Sequence, residues 1–297
     1  MPTDIHFIIN PSAGTEEPVA DLIREAFLES PASFDISITT SPEHLQRAIA
    51  AIKGTTQLVA VYGGDGTVME AAKALHNSIT PLFILPGGTA NVMAKEIGMP
   101  ATTAEALVLL ASGDFEIKAV DMGIINGCPF LIRVNIGILA DMITETSPET
   151  KERFGQWAYG LTAFREMPKQ GTTFQVNVDG ENSALTAVGL TVTNAGNIGV
   201  KGMSFLPGIS VSDGWLDLVS LDESSILKLL QVSGSILLQK ESPLLHHQKL
   251  QHIKITSSTP IDFLCDDQPQ RASELNISIA PASLHIAYPK NNADETN

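Results

Sequence analysis

The sequence predicts an N-terminal α/β domain, a parallel sheet with flanking helices, followed by a β-rich C-terminal domain of antiparallel-sandwich type. Three observations carry that prediction. Strand-like and helix-like apolar patterns alternate through the first third of the chain. Glycine-rich loops recur directly after predicted strands, at the carboxyl edge where open α/β sheets bind ligands. Beyond Glu116 the apolar period falls to two, with the hairpin dipeptides Asn126-Gly127 and Asp179-Gly180.

Taken in order, Ile5 to Ile9 reads as the first strand, and Val19, Leu22, Ile23, Ala26 and Phe27 fall at helical spacing. Phe34 to Ile38 is the second strand, a helix starts from Pro42, and Gln57 to Tyr62 is the third strand. A helix after Thr67, a strand from Pro81 to Leu85 and a helix after Thr89 continue the series. In the second half, Thr173 to Val178 and Ala187 to Asn194 read as strands, with helices over Lys151 to Met167 and Ser224 to Gln239 whose apolar faces are expected to pack into the core, a membrane-facing role being the alternative. Asn292 to Asn297 is a polar, frayed end. The domains divide as 1–118 and 119–297, and the last strand is free to return to the first domain.

The bulk numbers exclude several classes. A formal charge of −15 with no Lys/Arg cluster opposes non-specific attraction to nucleic acid or anionic headgroups. The cysteines, Cys128 and Cys265, are two in number, and Met1-Pro2-Thr3-Asp4 opens neither a basic nor an apolar leader, so a reducing cytoplasm is expected. No apolar run approaches the roughly 18 residues needed to span a bilayer, since Val120 to Ile143 is broken by Asp, Gly, Pro and Arg. The histidines, including His246, His247 and His252, show no zinc-ligand spacing, and Cys265 has no histidine partner in sequence.

Gly63-Gly64-Asp65-Gly66-Thr67 lies between an apolar strand and a helix, where glycines let backbone amides approach an anion at a helix N-terminus. An acidic residue there would repel phosphate unless a cation intervenes, so Asp65 is expected in a Mg²⁺ and water network. The loop lacks the Gly-Lys-Ser/Thr ending of a Walker A motif and the G-x-G-x-x-G dinucleotide pattern. Two more loops follow strands in the same way, Asn10-Pro11-Ser12-Ala13-Gly14 and Pro86-Gly87-Gly88-Thr89-Ala90-Asn91.

Together these segments resemble the signature loops of the diacylglycerol kinase catalytic family, which includes soluble bacterial lipid kinases and sphingosine and ceramide kinases, with NAD kinases more distant. The resemblance implies ATP and Mg²⁺ as cofactors, with Asn10, Thr40, Gly63, Gly64, Asp65, Gly66, Thr67, Glu70, Gly88, Thr89 and Asn91 around the nucleotide. Thr40 is equally readable as a strand residue beside a helix cap at Ser41. Val92 stands where the family usually carries an Asp, so Asp65, Asp121 or substrate phosphate would have to compensate.

In the second domain Val120-Asp121-Met122-Gly123 and Asn135 to Asp141 resemble further family segments. Ser210-Val211-Ser212-Asp213-Gly214-Trp215-Leu216-Asp217 resembles the element that holds a structural Mg²⁺ through its first Asp and flanking carbonyls, which implies Asp213 with the carbonyls of Ser210 and Trp215; a plain hairpin turn is the alternative. Cys265-Asp266-Asp267-Gln268-Pro269 stands where the family shows Asp-Gly-Glu-Pro, and Gln268 replaces the Glu, so the implied general base is Asp266.

The expectation is an ATP-dependent lipid kinase with diacylglycerol as the foremost acceptor. It would bind ATP between the domains and visit the membrane surface only peripherally, with a homodimer left open. The rivals are an NAD kinase, disfavoured because Thr89-Ala90-Asn91-Val92 replaces that family's Asn-Glu pair, and a nucleotide-binding regulator that has lost catalysis, suggested by Val92 and Gln268.

Overall fold

The computed structural model describes residues 2–12, 17–137, 171–197, 208–221 and 245–290. The helices expected over 151–167 and 224–239, the polar end, and positions 13, 14 and 138–141 lie outside the described residues. The chain divides into two compact units, Met1–Met122 with Asn197–Gly202 and Pro281–Asn297, and Gly123–Gly196 with Met203–Ala280.

The first unit is the expected α/β alternation: β1 (Asp4–Ile9), α1 (Val19–Ala26), β2 (Ser33–Ile38), α2 (Pro42–Ile52), β3 (Leu58–Gly63), α3 (Asp65–Leu75), β4 (Leu82–Pro86), α4 (Val92–Glu96) and α5 (Thr103–Ser112). The strands lie in the order β2-β1-β3-β4, all parallel. β3 and β4 are buried along their whole length, because helices cover both faces of a parallel sheet and leave no position for a polar residue. Phe7, Phe27 and Phe34 meet edge to face, with ring centroids 5.5 to 5.7 Å apart, and fasten α1 against β1 and β2. α2 starts where Ser41 Oγ accepts the His44 N–H and Pro42 takes the first helical position. α5, which the sequence reading passed over, starts on a Thr102 cap to Glu105 and ends at Gly113 in the left-handed region.

The second unit contains β6 (Cys128–Phe130), β7 (Arg133–Gly137), β8 (Thr172–Val178), β9 (Glu181–Ala187), β10 (Gly189–Thr193), β11 (Leu216–Leu221), β12 (Leu245–Leu250) and β13 (His252–Cys265). Two longer strands, β5 (Phe115–Ile125) and β14 (Gln268–Pro289), run through both units. The pairings β12-β11-β10-β7-β13-β14 are antiparallel. The register of β13 shifts between Thr256 and Ile261, so its first half pairs with β8 and its second half with β7. The turns at Asn126-Gly127 and Asp179-Gly180 have positive φ at both central residues, the geometry that hairpin twist favours. Gly123 is required by packing: a Cβ there would lie 1.9 Å from the buried Phe130 ring across the β5–β6 ladder.

Within the first unit Asp121 is buried and its Oδ1 accepts the Ala282 N–H at 2.7 Å, holding Ala282 at φ 51°. Burial pushes the nearby Tyr288 phenol up to about 12, reinforced by the carboxylates of Glu96 and Asp121. Against an unfolded value of about 10, the neutral phenol contributes stability that is complete below about pH 10 and lost as pH rises through about 12. Tyr288→Phe is expected to flatten that part of the alkaline decline, measured as the urea midpoint from pH 8 to pH 12.

Candidate functional site

Because β1, β2, β3 and β4 are parallel neighbours, the segments that follow them share the carboxyl edge of one sheet. These are Asn10 after β1, Thr39 and Thr40 after β2, Gly64 after β3 and Gly87 after β4. Of the candidates, Asn10, the 63–67 loop and the 87–91 loop are brought into one bonded constellation.

α3 begins at Asp65, and its cap, Gly64, supplies no side chain, so the helix start is lined by backbone. The Gly87 N–H donates to the Gly63 carbonyl at 3.0 Å, tying the second loop to the first. A Cβ on Gly88 would lie 2.5 Å from the Gly64 Cα, and one on Gly87 would lie 2.7 Å from the Tyr62 ring. Glycine at 88 is thus the condition for the two loops to touch backbone to backbone, and glycine at 87 leaves room for the Tyr62 ring. Gly63 is needed for a different contact, since a Cβ would strike the Thr67 side chain at 2.4 Å. Gly66 is exposed and its Cβ would meet nothing within 4 Å, so the protein's own packing does not call for glycine there.

Side chains complete the frame. Asn10 Nδ2 donates to Thr67 Oγ1 at 2.9 Å, and Asn10 Oδ1 accepts the Ser12 N–H at 3.0 Å. Asp65 Oδ1 accepts the Val92 N–H at 2.6 Å, so the half-buried carboxylate of the first loop caps the helix that follows the second. Asn91, left-handed at φ 46° and ψ 50°, closes a ring on Gly88: Oδ1 accepts the Gly88 N–H at 2.9 Å and Nδ2 donates to its carbonyl at 2.7 Å. Thr89 is exposed beside this ring. Thr40 is exposed at the same sheet edge, whereas the neighbouring Thr39 is buried and donates through its N–H to the Ile9 carbonyl. Glu70 faces α2 from α3 with its side chain only 16% exposed, accepting from Gln46 Nε2 at 2.5 Å and from Lys73 Nζ at 3.0 Å. Sequence reasoning missed the Asp65–Val92 bond and the Tyr62 ring under Gly87, and no local signal announces either.

In the second unit Asp266, 6% exposed, lies at a hairpin turn with φ 45°. Its Oδ2 accepts the Leu131 N–H at 2.7 Å, and its Oδ1 accepts the Ile132 and Arg133 N–H groups at 2.8 and 2.9 Å. Asn194 Nδ2 donates to the Leu131 carbonyl at 3.0 Å, Thr193 Oγ1 to the Ile132 carbonyl at 3.1 Å, and the Asp266 N–H to the Arg133 carbonyl at 2.9 Å. The side chain expected to accept a proton thus holds the chain between β6 and β7, and both its oxygens already carry charge-assisted bonds. The neighbouring Asp267 and Gln268 are exposed.

Asp213 lies before β11, with Oδ1 accepting the Trp215 N–H at 3.1 Å and Oδ2 accepting from Lys249 Nζ. Asp217, on β11, is fully buried; burial pushes its carboxyl up, against the opposing pull of His247, whose Nε2 lies 2.6 Å from Asp217 Oδ1.

The glycines separate binding from folding. If ATP takes this edge, as the resemblance implies, Gly66→Ala is expected to leave the melting temperature unchanged or slightly raised and to weaken ATP binding about tenfold or more, since the new methyl enters the space open to a ligand. Gly88→Ala forces the loops apart and is expected to cost about 1–3 kcal/mol of stability as well as nucleotide affinity. Calorimetric titration with ATP beside urea denaturation reads both.

Residues 4–125 match the diacylglycerol kinase catalytic domain, and residues 133–288 match the YegS C-terminal NAD kinase beta sandwich-like domain. A probable lipid kinase YegS-like of Pseudomonas fluorescens is 31% identical over 83% of this chain and 81% of its own length. Its counterpart in Pseudomonas putida is 29% identical over 86% and 85%. A solved structure described as a putative diacylglycerol kinase from Bacillus anthracis superposes with a TM-score of 0.83 over 98% of this chain and 96% of its own, at 24% identity, and so attests the fold. With both halves matched in order and the sheet-edge loops formed at the motifs, the chain belongs to the lipid-kinase family built from a diacylglycerol kinase catalytic domain and a YegS-type C-terminal domain.

Proposed function

We propose that this protein is an ATP-dependent lipid kinase that transfers the γ-phosphoryl group to a lipid hydroxyl, with diacylglycerol as the acceptor and phosphatidic acid as the product. The observation that carries the reading is the backbone contact between Gly64 and Gly88 at the start of α3. It presents main-chain dipoles to an anion where side chains would otherwise stand. The names of the Pseudomonas relatives support the lipid acceptor class.

In the reaction the lipid hydroxyl oxygen attacks the γ-phosphorus, the bond to the β–γ bridging oxygen breaks, ADP leaves with that oxygen, and the hydroxyl proton passes to water. Such transfers depend mainly on positioning and charge neutralisation. Mg²⁺ is commonly held by one or two carboxylates plus substrate phosphates, and Asp65, whose Oδ1 accepts the Val92 N–H, is the carboxylate this loop offers to such an ion. Mg²⁺ held there would neutralise the β- and γ-oxygens. Asn10 orients Thr67, Asn91 sets the Gly88 peptide, and Thr89 stands exposed beside it for a phosphate oxygen. Asp266 serves by positioning the 131–133 chain rather than as the general base that the family resemblance implies. The acceptor is met at a membrane surface. Among the described residues no helix is long and apolar enough to cross a membrane.

Incubation of the full chain with γ-labelled ATP, Mg²⁺ and mixed micelles of diacylglycerol, phosphatidylglycerol, sphingosine or ceramide, resolved by thin-layer chromatography, is expected to label phosphatidic acid. Label on a different lipid would reassign the acceptor. ATP binding with no labelled lipid at all would leave a nucleotide-binding protein without transfer.

The role of Asp266 has its own readout. Asp266→Asn loses a charged acceptor from three amides, two of them buried, and turns an NH₂ group towards them, so a loss of about 3 kcal/mol or more is expected alongside lost activity. A variant of unchanged urea midpoint with transfer reduced about 100-fold or more would restore the general-base assignment.

A further inference from the structure

The resemblance implies a structural Mg²⁺ at the turn before β11, held by Asp213 and the carbonyls of Ser210 and Trp215. The side chains around this turn do not fit that ion. Asp213 Oδ2 is taken by the ammonium of Lys249, and Oδ1 by the Trp215 N–H at 3.1 Å. The Gly214 carbonyl accepts from Gln251 Nε2 at 3.3 Å. Mg²⁺ demands near-octahedral oxygen ligands at about 2.1 Å, and a fixed positive charge bonded to its one carboxylate would repel it.

The lysine is placed there by register. β11 and β12 pair antiparallel with Asp217 opposite Lys249 and Val219 opposite His247. Successive side chains of a strand alternate between faces, so His247 and Lys249, two residues apart, project on the same side. His247 meets Asp217 on that side, and Lys249 reaches beyond the strand end to Asp213. Asp213 and Asp217 are thus each matched by a basic side chain from β12. Gln251, two residues further along, adds a donor to the same turn.

We propose that Lys249 is the built-in counter-cation of the 210–215 turn, so that this protein holds the turn with its own ammonium where relatives would use a divalent ion. The inference is independent of which lipid the protein phosphorylates.

The test uses the full chain without nucleotide. Its melting temperature is compared in EDTA and in Mg²⁺ for wild type, Lys249→Met, Lys249→Arg and Asp213→Asn. Terbium is added in parallel, with its emission excited through the indole of Trp215 and Trp215→Phe as the control. The expected wild type melts alike in EDTA and Mg²⁺ and shows no Trp215-sensitised terbium emission. Lys249→Arg behaves like wild type. Lys249→Met is expected to melt about 2–4 °C lower in EDTA, the scale of one partly exposed ion pair. It should regain part of that loss in Mg²⁺ and acquire terbium emission. Wild type that is stabilised by Mg²⁺, or that emits, and loses the response in Asp213→Asn would overturn the proposal, because an ion would then be displacing the lysine. A metal effect that survives Asp213→Asn arises away from this turn and is subtracted before the comparison. Lys249→Met that melts like wild type and ignores Mg²⁺ would also overturn it, since Lys249 would then hold nothing.

Discussion

Gly64 and Gly88 come so close that no side chain fits between them, and the geometry at the carboxyl edge of the parallel sheet depends on that approach. β3 and β4 are hydrogen-bonded neighbours about 4.8 Å apart, so the loops that leave them must either diverge or meet backbone to backbone. Glycine permits the meeting. Once the loops touch, Asp65 can reach the Val92 N–H, Asn91 can close on the Gly88 peptide, and α3 and α4 start from one connected frame. Rigidity of this kind suits phosphoryl transfer, which depends mainly on positioning, and where a displacement of about 1 Å can cost about 100-fold in rate.

The acidic residues of the motifs are spent largely on the protein's own amides. Asp65 caps α4, Asp121 holds Ala282, Asp179 accepts from the Gln251 and His252 N–H groups, and Asp266 binds three consecutive amides. A charged acceptor makes stronger bonds than a neutral one and can satisfy several donors where the chain turns sharply and no ladder partner is available. A carboxylate in a motif can therefore matter to activity without touching the substrate. Asp266 illustrates the point: the segment it holds, residues 131–133, has every backbone N–H bonded to it, and that tension between structure and chemistry decides how its substitutions should be interpreted.

The β11–β12 ladder shows the same economy of charge. Asp217 is fully buried and would be costly alone, and His247 relieves it from the neighbouring strand. Lys249 answers Asp213 from the same face of the same strand. Strand alternation delivers both bases at once, so one choice of register brings a base to each of two carboxylates, while Asp217 Oδ2 stays buried without a hydrogen-bond partner among the described residues.

The sequence by itself determined the parallel α/β half, because strand and helix periods alternate over short distances and glycine loops punctuate them. It determined the hairpins at Asn126-Gly127 and Asp179-Gly180 for the same reason, as positive-φ turns are written in two adjacent residues. The glycine loops at the sheet edge were legible too, since their glycines sit between a strand and a helix. α5 was legible in principle from the Thr102 to Glu105 cap and Gly113, although its uniform apolarity blurs the helical period. What each carboxylate does was decided only in the tertiary structure. Asp266 meets Leu131 to Arg133, Asp213 meets Lys249, and Asp65 meets Val92 across long stretches of chain. Those meetings depend on strand register and on backbone approach between distant loops, which residue spacing does not encode.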